Sequence, residues 1–263
     1  MGKLLHGNIG VSKVFLTTVN LGRKMIFTED YKSVIEDFGK DGKLSLFGVL
    51  RIFENIGNRH SDMAGDSVFK YDGSSKAWVL TDWQIEAEEY PSYGDSIKVE
   101  TWSEELKMPL TATRDFALYK NNQLCVKGIS KWVLFDLESQ RLCKIESGLL
   151  EKYKPENKTI FEDSKLPKIQ IPENFEAEKR IMIRRSDFDF NNHVHNLTYL
   201  DYALESLPNE VYQKNAFKKL RITYKTAITD NQEIIGKYAC MGDKKIICIH
   251  DLNGDTKAVV QFE

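Results

Sequence analysis

One order of elements occurs twice in this chain, and that repeat limits the fold more than any other feature. In the first copy, the turn Asp41-Gly42-Lys43 leads into Leu44, Phe47, Leu50, Ile52, Phe53 and Ile56, with Leu46 and Val49 widening the stripe. Spacing of three to four predicts a helix buried on most sides, ended or broken at Gly57-Asn58. β-Branched and apolar residues from Lys13 to Phe27 predict one strand or two before it. Four strand candidates follow: Ala77 to Glu89, Asp95 to Glu105, Leu110 to Tyr119 and Gln123 to Asp136. Turn chemistry at Pro91-Ser92-Tyr93-Gly94, Lys107-Met108-Pro109 and Lys120-Asn121-Asn122 separates them, so an antiparallel meander is expected.

Residues Tyr153 to Glu178 hold Pro155, Pro167 and Pro172 among charged side chains and read as an extended linker, after a short helical piece at Ser147 to Leu150. The second copy starts with a strand at Arg180 to Arg185 and a polar loop. A helix then places Leu197, Leu200, Leu204 and Leu207 on one face and stops at Pro208, with a separate short turn at Asn209 to Gln213. Strands are expected at Phe217 to Ala227, Gln232 to Met241, Lys244 to Asp251 and Thr256 to Phe262, joined by turns at Gly242-Asp243 and Asn253-Gly254. The implied class is α+β, with two long helices each wrapped by a curved antiparallel sheet. Little residue identity links the copies, and their two sheets could join into one. The expected domains are residues 1–152, a linker at 153–178, and residues 179–263.

Bulk properties exclude several functions. A chain of 263 residues with net charge −2 carries no electrostatic footprint for nucleic acid. Its mean hydropathy of −0.42 and lack of a long apolar run argue against a membrane span. Met1 to Gly7 reads as neither a secretory signal nor, with His6 where Ser or Thr is needed, a myristoylation signal. Cys125, Cys143, Cys240 and Cys248 form no CxxC pair and are expected as free thiols in a reducing cytoplasm.

The chemistry concentrates in Arg184-Arg185-Ser186-Asp187-Phe188-Asp189-Phe190-Asn191-Asn192-His193-Val194-His195-Asn196. A strand feeding such a loop into a helix sets carboxylates and imidazoles beside free backbone N–H groups, where developing negative charge is stabilised. Asp187-x-Asp189-x-Asn191 starts like a calcium loop. However, Asn192 stands where that loop needs Gly, and Thr198 where it needs Glu. Asp189, His193 and His195 match no common zinc spacing. No metal and no cofactor is expected.

Asp187 to Asn196, followed by Leu204-Glu205-Ser206-Leu207-Pro208, resembles the acyl-[acyl carrier protein] thioesterase family. Bacterial members and the plant plastid enzymes share its D-x-D-x-N-x-H-V and L-E-S-x-P motifs. Tyr90-Pro91, Gly94-Asp95, Thr101-Trp102, Arg114-Asp115-Phe116 and Ser130-Lys131-Trp132 support the match. The resemblance implies a double-hotdog fold and hydrolysis of fatty acyl thioesters on acyl carrier protein. It places the catalytic residues on Asp189, Asn191 and His193. Ala227 stands where the family usually carries a Glu after a strand like Arg221-Ile222-Thr223-Tyr224.

Asp189, Asn191 and His193 alternate, so an extended segment would turn all three to one side. Asp189 suits a base or nucleophile, Asn191 a hydrogen-bond donor, and His193 a base or orienting group. Which of them attacks stays open. Asp187 is expected to order the loop or cap the helix, His195 to sit behind the site or on the surface, and Glu205 to pair with a basic neighbour. Arg184, Arg185, Lys218, Lys219, Arg221 and Lys225 read as a basic rim for acidic acyl carrier protein. Leu46, Val49, Leu50 and Phe53, with Trp78, Trp83 and Ile85, are the expected wall for the acyl chain. A homodimer is compatible with these features. The rival readings are an acyl-coenzyme A thioesterase and a non-catalytic acyl-chain binder.

Overall fold

The computed structural model describes residues 25–67, 75–162, 165–214, 217–230 and 232–263. The readings of Met1 to Gly7 and of Lys13 to Phe27 lie outside them, except for residues 25–27. The first half contains β1 (Phe27–Tyr31), α1 (Leu46–Met63), β2 (Lys76–Ala87), β3 (Ile97–Ser103), β4 (Ala112–Lys120), β5 (Gln123–Asp136), β6 (Arg141–Cys143) and α2 (Ser147–Glu151). The second contains β7 (Ala177–Met182), α3 (Thr198–Glu205), α4 (Asn209–Gln213), β8 (Lys219–Tyr224), β9 (Glu233–Met241), β10 (Lys244–His250) and β11 (Thr256–Phe262).

These strands form one sheet in the order β1-β3-β4-β5-β2-β8-β11-β10-β9-β7, with β6 beside β5. Outward from the centre, β2-β5-β4-β3-β1 matches β8-β11-β10-β9-β7 position for position. The duplicated α+β hotdog and the joined sheet are both present. The join is an antiparallel pairing of β2 with β8, from Asp82 opposite Thr223 to Glu86 opposite Lys219.

The four-strand meander is not what forms. Only β3, β4 and β5 follow one another, and β2 lies beyond β5. Length and burial explain this: the twelve-residue β2 finds its match in the fourteen-residue β5, and Trp83 and Ile85 need cover on a central strand. A bulge at Thr81 keeps Leu80 and Trp83 on the same core face. It leaves buried Asp82 to accept from Thr223 Oγ1 at 2.9 Å and to pair with Lys131 Nζ at 2.7 Å.

Ser45 caps α1 by accepting the Gly48 N–H at 2.9 Å. Gly48 must be small, because a Cβ there would meet the Asp37 carbonyl oxygen at 2.3 Å. The helix does not stop at Gly57-Asn58 but runs to Met63. Gly57 faces Phe116 and Arg114, and His60, nearly one turn further, is fully buried. Tertiary packing here outweighs the low helix propensity of glycine. Phe53 and Trp83 both pack on Phe116, at 4.9 and 5.0 Å between ring centroids. Burial of each such ring stabilises the fold by about 1.5–3 kcal/mol. The apolar faces of α1 and α3 belong to one core that spans both halves.

The linker is more than a spacer. Glu156 pairs with the end of β3, donating its N–H to Ser103 O at 2.8 Å. Tyr153 and Phe161 are buried, and Ile169 and Phe175 cover Ile246, Cys248 and Val259. The strand read at Arg180 to Arg185 is shifted: β7 starts at Ala177 and ends at Met182, and a 3-10 turn follows at Arg185–Asp187. All four cysteines are free thiols.

Beside the linker, Glu104 and Asp115 are buried together. Lys107 Nζ binds Glu104 Oε2 at 2.6 Å, and the Ile160 N–H donates to Asp115 Oδ2 at 3.2 Å. Glu104 Oε1 and Asp115 Oδ1 have no partner among the described residues, the arrangement of two carboxyls that share a proton. Burial, then the Glu104 charge, pushes Asp115 up to about 8. A carboxyl with a raised folded pKa keeps a proton that the unfolded chain loses, so stability falls as pH rises from about 4 to about 8. Asp115→Asn removes that loss. In urea titrations it should be more stable than the parent at pH 8, by about 1–2 kcal/mol, and the gap should close at pH 5.

Candidate active site

Asp187 fixes the loop. It is 3% exposed; its Oδ2 accepts from the Arg184 N–H at 2.8 Å and from Tyr202 Oη at 2.7 Å, and its Oδ1 accepts from Arg184 Nε at 3.0 Å. Its carbonyl accepts the His195 N–H at 2.8 Å. Phe188 bridges to Val194 across a tight turn in which the Asp189 N–H reaches His193 O at 2.8 Å and the Asn192 N–H reaches Asp189 O at 3.1 Å. Asn192 takes the left-handed φ of +58°, a conformation that Asn tolerates. The Val194 N–H donates to Ile228 O at 2.9 Å, the Ile228 N–H to Tyr199 Oη at 3.1 Å, and Tyr224 Oη to Asn196 O at 3.0 Å.

The expected residues do not line an extended edge, because the chain reverses between Asp189 and His193. The half-buried Asp189 carboxylate is held inside the turn instead. Its Oδ1 accepts the backbone N–H groups of Asn191 at 2.8 Å and His193 at 3.1 Å. The Asn191 and His193 side chains are exposed, with no hydrogen-bond partner among the described residues. Burial pushes the Tyr199 phenol up to about 12, and the charge of Asp189 adds to that. Exposed Glu205 pairs with Lys179 at 2.9 Å, and exposed Ala227 directly precedes the Ile228 that anchors the loop.

Two residues gain weight that the sequence did not give them. His195 Nδ1 accepts the Leu197 N–H at 3.3 Å, and Nε2 lies 3.0 Å from Glu54 Oε1 on α1. The hydrogen bond to Glu54 raises the imidazole above its ordinary value against the opposing effect of burial, and the charges of Glu54 and Asp189 add to the rise. A second imidazole two residues after His193 was a visible signal. Glu54, one of several charged residues on α1 beside Arg51, Arg59 and Asp62, gave none.

Two expectations change. Arg221 is not on the basic rim: it is 8% exposed and donates from Nη2 to Pro167 O at 3.0 Å. Trp78 does not join the α1 wall. It packs in a separate cluster with Leu134, Ile145 and Tyr153 near the end of α1, its Nε1 on Asp66.

The first half contains the same turn. Asp37-Phe38-Gly39-Lys40-Asp41-Gly42-Lys43-Leu44-Ser45 follows its own 3-10 turn, Phe38 bridges Leu44, the Gly39 N–H reaches Lys43 O at 2.8 Å, and the Ser45 N–H reaches Asp37 O at 2.9 Å. Asp37 is buried and held by Tyr31 and Arg51, as Asp187 is by Tyr202 and Arg184. Gly39, Asp41 and Lys43 thus stand where the second turn has Asp189, Asn191 and His193. Asp187→Ala leaves the Tyr202 hydroxyl and two Arg184 donors unpaired. It should cost about 2–4 kcal/mol in chemical denaturation, against about 1 kcal/mol for Tyr202→Phe.

Residues 24–153 match the acyl-ACP thioesterase N-terminal domain, and residues 172–262 match the acyl-ACP thioesterase C-terminal domain. A chloroplastic acyl-[acyl-carrier-protein] hydrolase of Cuphea viscosissima is 26% identical over 213 residues, which is 76% of this chain and 51% of that protein. A chloroplastic oleoyl-acyl carrier protein thioesterase of Arabidopsis thaliana is 25% identical over 226 residues, 75% of this chain and 61% of that one. The chain therefore spans about half to three-fifths of these relatives' length. The solved 12:0-ACP thioesterase from Umbellularia californica superposes with a TM-score of 0.81 at 18% identity, covering 90% of this chain and 96% of its own. With both domain matches falling in order along one duplicated fold, the chain belongs to the acyl-ACP thioesterase family.

Proposed function

We propose that this protein hydrolyses fatty acyl thioesters carried on acyl carrier protein and releases the free fatty acid. The observation that carries the reading is the repeated turn. The first half builds it with Gly39, Asp41 and Lys43, so the backbone does not require Asp189, Asn191 and His193. Side chains that the fold can do without, on a turn whose carboxylate is held by two backbone N–H groups, are what acyl transfer to water needs. Family membership points the same way. In this reading residues 179–263 perform the chemistry, residues 153–178 link the halves, and residues 1–152 hold the acyl chain. The buried set Leu46, Val49, Leu50, Phe53, Trp83 and Ile85 supports that last role.

The carrier follows from charge. Exposed Arg185 and Lys225 lie near the loop, and Lys218 and Lys219 lie at the start of β8. Such a rim speeds encounter with an acidic carrier. Ala227 motivates the rival reading of a binder without turnover. Rates across acyl lengths on acyl carrier protein and on coenzyme A decide among the readings. The expected result is turnover that is faster on the protein carrier and lowered about 10³-fold by Asp189→Ala with the fold intact. Arg185→Glu should raise KM for the protein carrier only. No hydrolysis of any acyl thioester on either carrier would sink the proposal.

A further inference from the structure

We propose that the contact between His195 and Glu54 positions the turn from Asp189 to His193 against α1, and so decides which acyl chains reach that turn in register. The inference deepens the hydrolytic reading and rests on it. In that reading the chemistry stays with Asp189, Asn191 and His193. His195 and Glu54 act only through where they hold the turn.

The second half sets the turn's backbone. The His195 N–H donates to Asp187 O and the Val194 N–H to Ile228 O, while Tyr199 holds Ile228 and Tyr224 holds Asn196. His195 adds a tie to the first half: its Nε2 lies 3.0 Å from Oε1 of Glu54, a residue of α1. Its Nδ1 accepts the Leu197 N–H at 3.3 Å, so the ring proton of the neutral form sits on Nε2 and points at the carboxylate. Nε2 donates to Glu54 whether the ring is neutral or charged. The other groups that act on the ring are the Leu197 N–H and, through its charge, Asp189.

Glu54 is joined to the wall assigned to the acyl chain. It directly follows Phe53, which is fully buried and packs on Phe116 at 4.9 Å and on Trp83 at 6.5 Å between ring centroids. Leu50, one turn before Glu54, is fully buried as well. One helix thus carries both the side chains that would hold the acyl chain and the carboxylate that holds the loop. The β2–β8 pairing fixes the two halves, and the contact at Glu54 fixes the loop within that frame. A chain seated along α1 brings its thioester to a place set by its length. The turn must then stand at one offset from α1 for the carbonyl carbon to meet it. A misplacement of about 1 Å can cost about 10²-fold in rate. The two side chains are 39% and 23% exposed, so the pair adds little to folding stability. Its effect falls on rate and on discrimination among chain lengths.

The experiment compares the parent with Glu54→Ala, His195→Ala, the double variant and Glu54→Gln, in which the amide oxygen still accepts from Nε2. It measures kcat and KM on acyl-carrier-protein substrates of graded acyl length, kcat against pH, and unfolding in urea. On the preferred length, each Ala variant should lose about 10-fold in kcat, and the double variant should lose no more than either. Preference over chains two carbons longer or shorter should fall by about threefold or more. Glu54→Gln should recover most of both losses. The pH midpoints of kcat and the urea midpoint should stay at the parent's values.

Losses that multiply in the double variant, losses that Glu54→Gln does not recover, or an unchanged length preference would overturn the inference. So would a displaced pH midpoint, which would make His195 a proton carrier, or a urea midpoint lowered in step with kcat, which would make the pair purely structural. A parent protein without any hydrolysis would show instead that the hydrolytic reading itself had failed, and the inference would fall with it.

Discussion

The pairing of β2 with β8 holds the rest of the molecule in place. Two curved sheets, each wrapped round its own helix, would otherwise each present a long edge of unpaired backbone N–H and C=O groups. Joined, they give a single sheet and one core that includes residues from α1, α3 and both strand sets. The Thr81 bulge and buried Asp82 lie at the start of this join, where β2 leaves its ladder with β5 alone and takes up β8 as well. That join brings Glu54 of one half within hydrogen-bond reach of His195 of the other. A contact of this kind needs both halves fixed by something stronger than a surface ion pair.

A second constraint operates inside each half. A buried aspartate, Asp37 or Asp187, follows the first strand, and its partners set a tight turn before the helix. Because the turn is built by backbone hydrogen bonds and one buried carboxylate, its outward positions are free to vary. The first copy fills them with Gly39, Asp41 and Lys43, and the second with Asp189, Asn191 and His193. The same local structure thus serves as scaffold twice, with different side chains at its outward positions.

Much of this was legible in the sequence. The spacing of Leu44 to Ile56 gave α1, and the recurrence of strand, helix and strands gave the duplication and the joined sheet. The polar run gave the loop. What failed had local physical causes. Gly57 looked like a stop, because propensity says nothing of Phe116 waiting to pack on it. The meander failed because strand order depends on which strand is long and buried enough to sit in the middle, a property of the assembled sheet. Alternation at Asp189, Asn191 and His193 suggested an extended edge, yet Asn192 supplies the left-handed residue that reverses the chain. The matching Asp-Phe start of the two turns could have been read from the sequence, but it was hidden by the lack of identity around it.

The placement of charge leads one step further. Asp187 and Asp189 are two residues apart and differ in burial and in how their carboxylates are held. Asp187 is buried, with three donors on its carboxylate, and its work is complete when the loop is folded. Asp189 is half-buried, and only its Oδ1 is tied down, by backbone donors that belong to the same turn. Oδ2 has no hydrogen-bond partner among the described residues. A carboxylate fixed on one oxygen keeps its orientation while its other oxygen stays unengaged. The loop thus sets a carboxylate spent on support beside one with an unengaged oxygen, and it does so between alternate residues of one turn.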